Sequence, residues 1–177
     1  LDMAAITDAG HRVGAQVGFD LAHAAGNIVM NLHDWDVDFG AWCSYKYLNA
    51  SPGGIAGAYV HERHARNRDL PRLAGWWGND PDTRFRMHLE DQFRPVSNVD
   101  AWQLSNPPIL AMAPLRASLE LFDRVGMDAL RERSLRLTGY LRAMLESRPG
   151  RRYKIITPSA DPDHGCQLSI VVEGDAT

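Results

Sequence analysis

The spacing of apolar and polar positions predicts strands and helices in alternation. Residues 4–13 fit a short helix that Gly14 ends, and residues 21–25 fit one turn of helix that Gly26 and Asn27 end. The runs 15–19, 39–45 and 55–61 are short, mostly apolar and bounded by turn residues, as interior strands of a parallel sheet are. Because helices and strands interleave, we expect an α/β fold with a mainly parallel sheet.

The second half of the chain carries a different pattern. Residues 61–106 mix Pro, Gly, Asp and Trp without a regular period and are expected to be irregular. A long helical region, interrupted at Gly126, should follow, since apolar positions then recur on one helix face, at Leu115, Leu119, Phe122 and Val125. Two strands are predicted at 153–157 and 166–172. We therefore expect residues 1–114 to belong to a large domain, and 115–177 to a linking helix and the start of a small domain.

Composition narrows the class of protein. Apolar residues make up 45% and charged residues 23% of the chain, which is typical of a soluble globular domain. The net charge of −3 gives no electrostatic reason to expect nucleic acid as a partner. The locally basic stretch 61–68 is expected to be a solvated surface segment, because neighbouring acids dilute its charge.

Cysteine usage and the chain ends complete this picture. Cys43 and Cys166 lack the spacing of a metal site or a disulfide framework, which fits a reducing cytoplasm. We see no signal peptide and no apolar run long enough to cross a membrane, so no membrane partner is expected. The chain starts at Leu1 and ends directly after a strand-like run, so we expect an internal fragment of a longer protein.

Lys46 is a candidate for chemistry because aromatic residues flank it. Trp42, Tyr45 and Tyr47 surround this lysine in the sequence. Loss of solvation among aromatic side chains favours a neutral amine, which can attack an aldehyde and form a Schiff base. The pattern also fits a structural lysine at a strand end whose ammonium reaches water. Local composition alone favours that second interpretation.

Asp20 and His23 form a second candidate group at the end of the first predicted strand. An acid at the carboxyl end of a buried strand lies where open α/β sheets bind ligands, and there it can keep a pyridine nitrogen protonated. A helix N-cap for Asp20 and a satisfied core histidine for His23 are the structural alternatives. Asp20 precedes Lys46 by 46 − 20 = 26 residues. A pyridoxal phosphate (PLP) site on a parallel sheet requires that order and approximate gap.

Several longer blocks resemble one family, the kynureninases. They are Gly18-Phe-Asp-Leu-Ala-His-Ala-Ala-Gly-Asn27, Leu32-His-Asp-Trp35, Trp42-Cys-Ser-Tyr-Lys-Tyr-Leu-Asn49, Ser105-Asn-Pro-Pro108 and Gly165-Cys-Gln-Leu-Ser169. The resemblance implies a fold-type I PLP enzyme of the aminotransferase class V group. It also implies a homodimer whose active sites are built from both subunits.

The resemblance also implies roles for single residues. Lys46 resembles the lysine that forms the Schiff base with PLP, and Asp20 the partner of the pyridine nitrogen. His23 resembles a neighbouring cofactor contact. Tyr45 resembles the tyrosine that reaches the phosphate and protonates the product enamine.

Four further residues come from the irregular region. Trp76 resembles a tryptophan that contacts the phosphate from the other subunit, and Asn106 an asparagine near cofactor and substrate. Trp77 and Ser105 are expected to line the substrate pocket. The structural alternatives are hydrophobic packing for the two tryptophans and a turn before proline for Asn106.

The implied reaction is hydrolysis of L-kynurenine or its 3-hydroxy form to anthranilate or its hydroxy form and L-alanine, in tryptophan catabolism and NAD biosynthesis. A cysteine desulfurase of the same class is one alternative, but Cys43 and Cys166 fall on predicted strands rather than mobile loops. A non-catalytic fragment is the other.

Members of the family are more than twice as long, which implies that the phosphate loop precedes this segment and the substrate-carboxylate arginine follows it. We therefore expect the isolated chain to be inactive.

Overall fold

A computed structural model describes residues 1–73, 75–161 and 163–174. The first part of the chain forms a three-stranded sheet of order β1-β2-β3, with short helices beside it. Its elements are α1 (Met3–His11), β1 (Gly18–Asp20), β2 (Phe39–Cys43), β3 (Ala56–Val60) and α2 (Glu62–Ala65). The alternation of helix and strand confirms the predicted α/β class.

Strand direction corrects one prediction. β1 and β2 pair in parallel, with Asp20 opposite Ala41, but β2 and β3 pair antiparallel, with Cys43 opposite Ala56. A third parallel strand would need a crossover connection, usually a helix. Residues 44–55 instead reverse the chain through turns, in which Asn49, Ser51 and Gly53 have positive φ angles. The apolar run 55–61 could not reveal this, because an apolar strand looks the same in either direction.

The second part follows the predicted pattern more closely. Two 3-10 helices, Arg84–Leu89 and Val99–Trp102, lie within the stretch expected to be irregular. The long helical region is two helices, α3 (Ile109–Val125) and α4 (Met127–Glu146), separated at Gly126, whose φ of 82° few other residues adopt. A separate antiparallel pair follows, formed by β4 (Tyr153–Ile155) and β5 (Ile170–Val172). Cys166 therefore lies before β5 and not in a strand.

The compact part of the core lies beside the three-stranded sheet. Met3 of α1 packs with Leu21, Leu32 and Val37, and Trp42 contacts this cluster from β2. Elsewhere large apolar side chains face outward, among them Phe85 at 80%, Ile109 at 74% and Leu110 at 91% exposure. Where such side chains are contiguous, exposed apolar area of this kind is typical of surfaces that bind other molecules. Among the residues described, no helix combines the length and apolarity of a membrane span.

A buried carboxylate, Asp38, fixes the start of β2. Its Oδ1 accepts hydrogen bonds from Arg63 Nη2 at 2.5 Å and pairs with His64 Nε2 at 2.6 Å. Its Oδ2 accepts the Val17 N–H at 2.5 Å and pairs with His11 Nε2 at 2.9 Å. The basic stretch 61–68 was expected to be solvated. That expectation is wrong for its first half, because Arg63 and His64 turn inward to this carboxylate.

Burial alone would raise the pKa of Asp38, but the hydrogen bonds from His64, the Val17 amide, Arg63 and His11 outweigh it. The pKa of this carboxyl is therefore held well below its ordinary value. Asp38 is thus ionised in the folded protein, and it ties α1, the entry to β1, β2 and α2 to one point.

Candidate active site

Lys46, Asp20 and His23 come together at one edge of the sheet. β1 and β2 run parallel, so their carboxyl ends meet there: Asp20 is the last residue of β1, and Lys46 lies three positions after Cys43, the last residue of β2. Lys46 Nζ lies 3.0 Å from His23 Nε2. The structure therefore brings these three predicted residues to the same edge of the sheet.

The turn of residues 21–27 presents His23 to the lysine. Asp20 Oδ1 accepts the Ala22 N–H at 2.9 Å, which starts the turn, and the Ala25 N–H donates to the Leu21 carbonyl at 3.0 Å. The helical turn predicted at 21–25 is therefore present. The capping interpretation of Asp20 also holds, but it uses one carboxylate oxygen of a side chain that remains exposed.

Gly26 ends this turn with a φ of 81°. A side chain there would have its Cβ 2.8 Å from the backbone carbonyl of Tyr47, so only glycine allows this approach. The close packing holds the 21–27 turn against the segment that carries Lys46.

The aromatic surroundings of Lys46 are only partly as predicted. Its Nζ lies 5.9 Å from the centre of the Tyr45 ring, and the lysine is half-buried. Tyr45 is 52% exposed, and Trp42 packs on the core cluster instead. Trp42 lies in β2, whereas Tyr45, Lys46 and Tyr47 lie in the bend and turn that follow it, so neighbours of the lysine in sequence need not surround it in space.

Trp76 and Trp77 form a second group, away from these contacts. Their rings meet edge to face at 5.5 Å, and the Arg84 guanidinium lies 4.7 Å from the centre of the Trp77 ring. The backbone of Gly75 packs so closely on Leu104 that a Cβ there would lie 2.4 Å from its Cα. This contact places the two tryptophans next to the segment that carries the remaining predicted residues.

Ser105 and Asn106 follow Leu104 directly, and both are exposed. The Ser105 carbonyl accepts a hydrogen bond from Gln103 Nε2 at 3.0 Å. Within the described residues, hydrogen bonds and aromatic contacts link neither these two residues nor the tryptophans to Lys46. The predicted site residues thus form two groups in a single chain.

A cavity of about 510 Å³ adjoins the first group, and no sequence pattern indicated it. The sheet and its turn contribute Asp20, His23, Asn27 and Tyr47, and the segment before β5 contributes Asp163, His164, Gly165 and Gln167. Burial, followed by the neighbouring Cys166 thiol, raises the pKa of Tyr47. The block 165–169 was part of the family resemblance, but no sequence pattern pairs it with a turn more than 130 residues earlier, since Asn27 and Cys166 are separated by 139 positions.

The first group can hold and move protons. Lys46 and His23 are close enough to share one proton, and the Asp20 carboxylate lies at the same edge as an acceptor. Among the residues described, no group of three or more His, Cys, Asp and Glu side chains could hold a metal ion. An amine, an imidazole and a carboxylate are instead groups suited to an aldehyde-bearing pyridine cofactor.

Curated relatives of this chain are kynureninases. One from Koribacter versatilis is 57% identical over 171 residues, and one from Salinispora tropica is 58% identical over 172 residues. These matches cover 97% and 96% of this chain but 40% and 39% of the relatives. The chain therefore spans about two fifths of the length of the kynureninases it matches.

Solved structures share the fold at low sequence identity. The Escherichia coli cysteine desulfurase CsdA superimposes with a TM-score of 0.70 at 21% identity, over 99% of this chain and 40% of that one. A variant of C-DES with glycine covalently linked to its PLP cofactor gives 0.72 at 20% identity, over 97% and 43%. The sequence profile of the aminotransferase class-V family matches residues 1–174. The chain therefore belongs to the aminotransferase class-V family.

Proposed function

We propose that the protein containing this chain is a kynureninase, which hydrolyses L-kynurenine or its 3-hydroxy form to anthranilate or its hydroxy form and L-alanine. The observation that carries the proposal is the meeting of Asp20, His23 and Lys46 at the carboxyl ends of two parallel strands. The identity of 56–58% to curated kynureninases supports the choice of substrate. The place in tryptophan catabolism follows from that substrate.

The residues present fit PLP, the cofactor of this family. Lys46 offers an amine for the aldehyde, and Asp20 a carboxylate for the pyridine nitrogen. Tyr45, exposed beside the lysine, offers a hydroxyl for the phosphate. When bound, PLP supplies an electron sink that stabilises negative charge developing at the substrate Cα.

The side chains then have distinct tasks. Asp20 would keep the pyridine nitrogen protonated, which maintains the sink. Lys46 would take the proton from the substrate Cα and later return it, and His23 at 3.0 Å from its Nζ would steady the amine and share that proton. Water would add to the γ-carbonyl, and the Cβ–Cγ bond would break with its electron pair left on Cβ. Tyr45 would donate a proton to Cβ and recover one from the hydrated carbonyl, which becomes the carboxyl of anthranilate, and the return of the proton to Cα gives alanine.

We propose that Trp76, Trp77, Ser105 and Asn106 complete the active site of a second subunit. Support comes from their separation from Lys46 within one chain, together with their contact with each other through Gly75 and Leu104. In this homodimer Trp76 contacts the phosphate, Asn106 lies near cofactor and substrate, and Trp77 and Ser105 line the substrate pocket.

Two coarser features of organisation are also proposed. Residues 1–114 would be part of the PLP-binding large domain, and 115–177 the linking helix and start of the small domain. The separate sheets β1–β3 and β4–β5 support this division. A cytoplasmic location is supported by two cysteines that are both free.

The geometry of the cysteines argues against the desulfurase alternative. Such an enzyme needs a thiol on a mobile loop. Cys43 is the last residue of β2, with its Sγ 3.8 Å from the Ala22 carbonyl, and the backbone of Cys166 is hydrogen bonded on both sides.

The test is turnover by the full-length protein. Purified protein with PLP is given kynurenine, 3-hydroxykynurenine or cysteine, and anthranilate fluorescence, alanine and sulfide are measured. Anthranilate and alanine in equal amounts support the proposal. Sulfide from cysteine without anthranilate from kynurenine contradicts it.

A further inference from the structure

The Asn27 side chain joins two parts of the protein that are far apart in sequence. Its Oδ1 accepts the Cys166 N–H at 3.1 Å, and its Nδ2 donates to the His23 carbonyl at 3.0 Å. One amide group thus connects the turn that presents His23 to the segment of residues 163–167.

The fit between the two parts is tight at Gly165. A Cβ built on this residue would lie 2.4 Å from Asn27 Nδ2 and 3.1 Å from its Oδ1. Those distances are far below normal contact, so the absence of a side chain lets the backbone reach the amide. The close contact of Gly165 with Asn27 and the hydrogen bond from the Cys166 N–H to Asn27 both result from the packing of the 163–167 segment against the 21–27 turn.

The 163–167 segment is also anchored from its other side by α4. Arg131 Nη2 donates to the His164 carbonyl at 2.6 Å, and Thr138 Oγ1 donates to the Cys166 carbonyl at 3.4 Å. The segment therefore lies between α4 and the 21–27 turn. On the side of the turn, Asn27 makes the direct hydrogen bond to its backbone.

The position of this segment affects the candidate active site. It supplies one wall of the 510 Å³ cavity, whose other wall includes Asp20 and His23. His23 in turn lies 3.0 Å from Lys46 Nζ. A continuous series of contacts therefore runs from Cys166 through Asn27 and His23 to the lysine.

We propose that Asn27 is a positioning residue that holds the 163–167 segment as a preformed wall of the active-site cavity. This inference rests on the proposed function. A wall already in place does not have to be ordered when substrate binds, so its benefit is to affinity. Asn27 is not at the Cα proton, so the chemical step should change little without it.

The experiment uses the full-length protein with Asn27→Ala. We expect KM for kynurenine to rise ~10-fold, as the loss of a well-placed bridging side chain predicts, while kcat stays within ~2-fold. In the same protein without substrate, hydrogen exchange of the Cys166 amide should accelerate ~10-fold, because that amide loses its acceptor. Asn31→Ala, an exposed asparagine four positions later, is the matched control and should change neither quantity.

A second variant approaches the contact from the opposite side. Gly165→Ala leaves the Asn27 amide intact but places a methyl group against it, and it should raise KM and speed Cys166 exchange in the same way. This variant keeps the test decisive where Asn27→Ala folds poorly.

The outcomes separate the two proposals. If hydrogen exchange of the Cys166 amide is unchanged in both variants, Asn27 does not hold the 163–167 segment in place, and the proposal is wrong. Faster exchange with unchanged KM, or a fall in kcat alone, overturns the positioning role. The exchange comparison requires no turnover, so it tests whether Asn27 holds the 163–167 segment even where the wild-type protein fails to hydrolyse kynurenine. That failure would contradict only the proposed function.

Discussion

Replacing Asp38 with asparagine should destabilise the protein far more than the same change at Asp36. Asp38 is 2% exposed, and each of its oxygens receives two partners: Arg63 and His64 at Oδ1, Val17 N–H and His11 at Oδ2. An asparagine side chain has one acceptor oxygen and one NH2 group. In either orientation the NH2 faces Arg63 or the Val17 N–H, and both of these can only donate.

The magnitude follows from the loss of a buried, paired charge. A hydrogen bond to a charged group contributes about 1.5–3 kcal/mol, and breaking a buried pair from one side costs about 3–5 kcal/mol. We expect Asp38→Asn to lower the free energy of unfolding by about 3–5 kcal/mol. Asp36 contacts Arg63 as well, but it is 58% exposed, so Asp36→Asn should cost no more than about 1 kcal/mol.

The measurement is urea denaturation of the full-length protein and both variants, followed by tryptophan fluorescence. The pH dependence provides a second readout. The pKa of folded Asp38 lies below its ordinary 3.8, so its stabilisation is present above pH 3.8 and is lost as pH falls further. In the Asp38→Asn variant, the free energy of unfolding should therefore depend less on pH below pH 3.8 than in the wild-type protein. Equal losses of stability in the Asp36 and Asp38 variants would refute the argument that burial increases the contribution of the Asp38 carboxylate to stability.

Three further predictions concern the cofactor site and the chain itself. Borohydride reduction of the full-length protein with PLP, then peptide mapping, should label Lys46, and label on another lysine would exclude it as the attachment point. Asp20→Asn should leave PLP bound but slow Cα deprotonation by about 3–5 kcal/mol in activation free energy, since a neutral amide cannot keep the pyridine nitrogen protonated; unchanged exchange of the substrate Cα proton for deuterium would disprove that role. The isolated 177-residue chain, with apolar residues such as Leu110 exposed, should bind PLP weakly, aggregate and release no anthranilate fluorescence from kynurenine; turnover comparable to that of a full-length relative would show that this segment holds a complete site.

Local sequence was sufficient to predict those structural features whose physical cause lies within a few neighbouring residues. The break at Gly126 could be placed because a positive φ favours glycine, and the turn after Asp20 because a carboxylate there caps the following amides. The gap between Asp20 and Lys46 indicated a shared sheet edge, because parallel strands bring their carboxyl ends together. For the roles of Trp76 and Asn106 the residues themselves carried no such signal, and their assignment remains a prediction from the family resemblance.

Contacts between distant segments were decided only by the tertiary structure. The sequence showed a basic stretch at 61–68, but not that Arg63 would turn inward, because the buried carboxylate that attracts it lies 25 positions earlier. The direction of β3 was hidden for a similar reason, since apolar periodicity records burial and not strand polarity. No feature of the residues next to Asn27 and Gly165 in sequence indicates that the two are in contact. The contact forms because α4 anchors residues 163–167 beside the turn that follows β1. Periodicity and turn chemistry therefore determined the elements and the sheet edge at which the candidate site lies, whereas chain reversal and long-range docking determined the walls of its cavity.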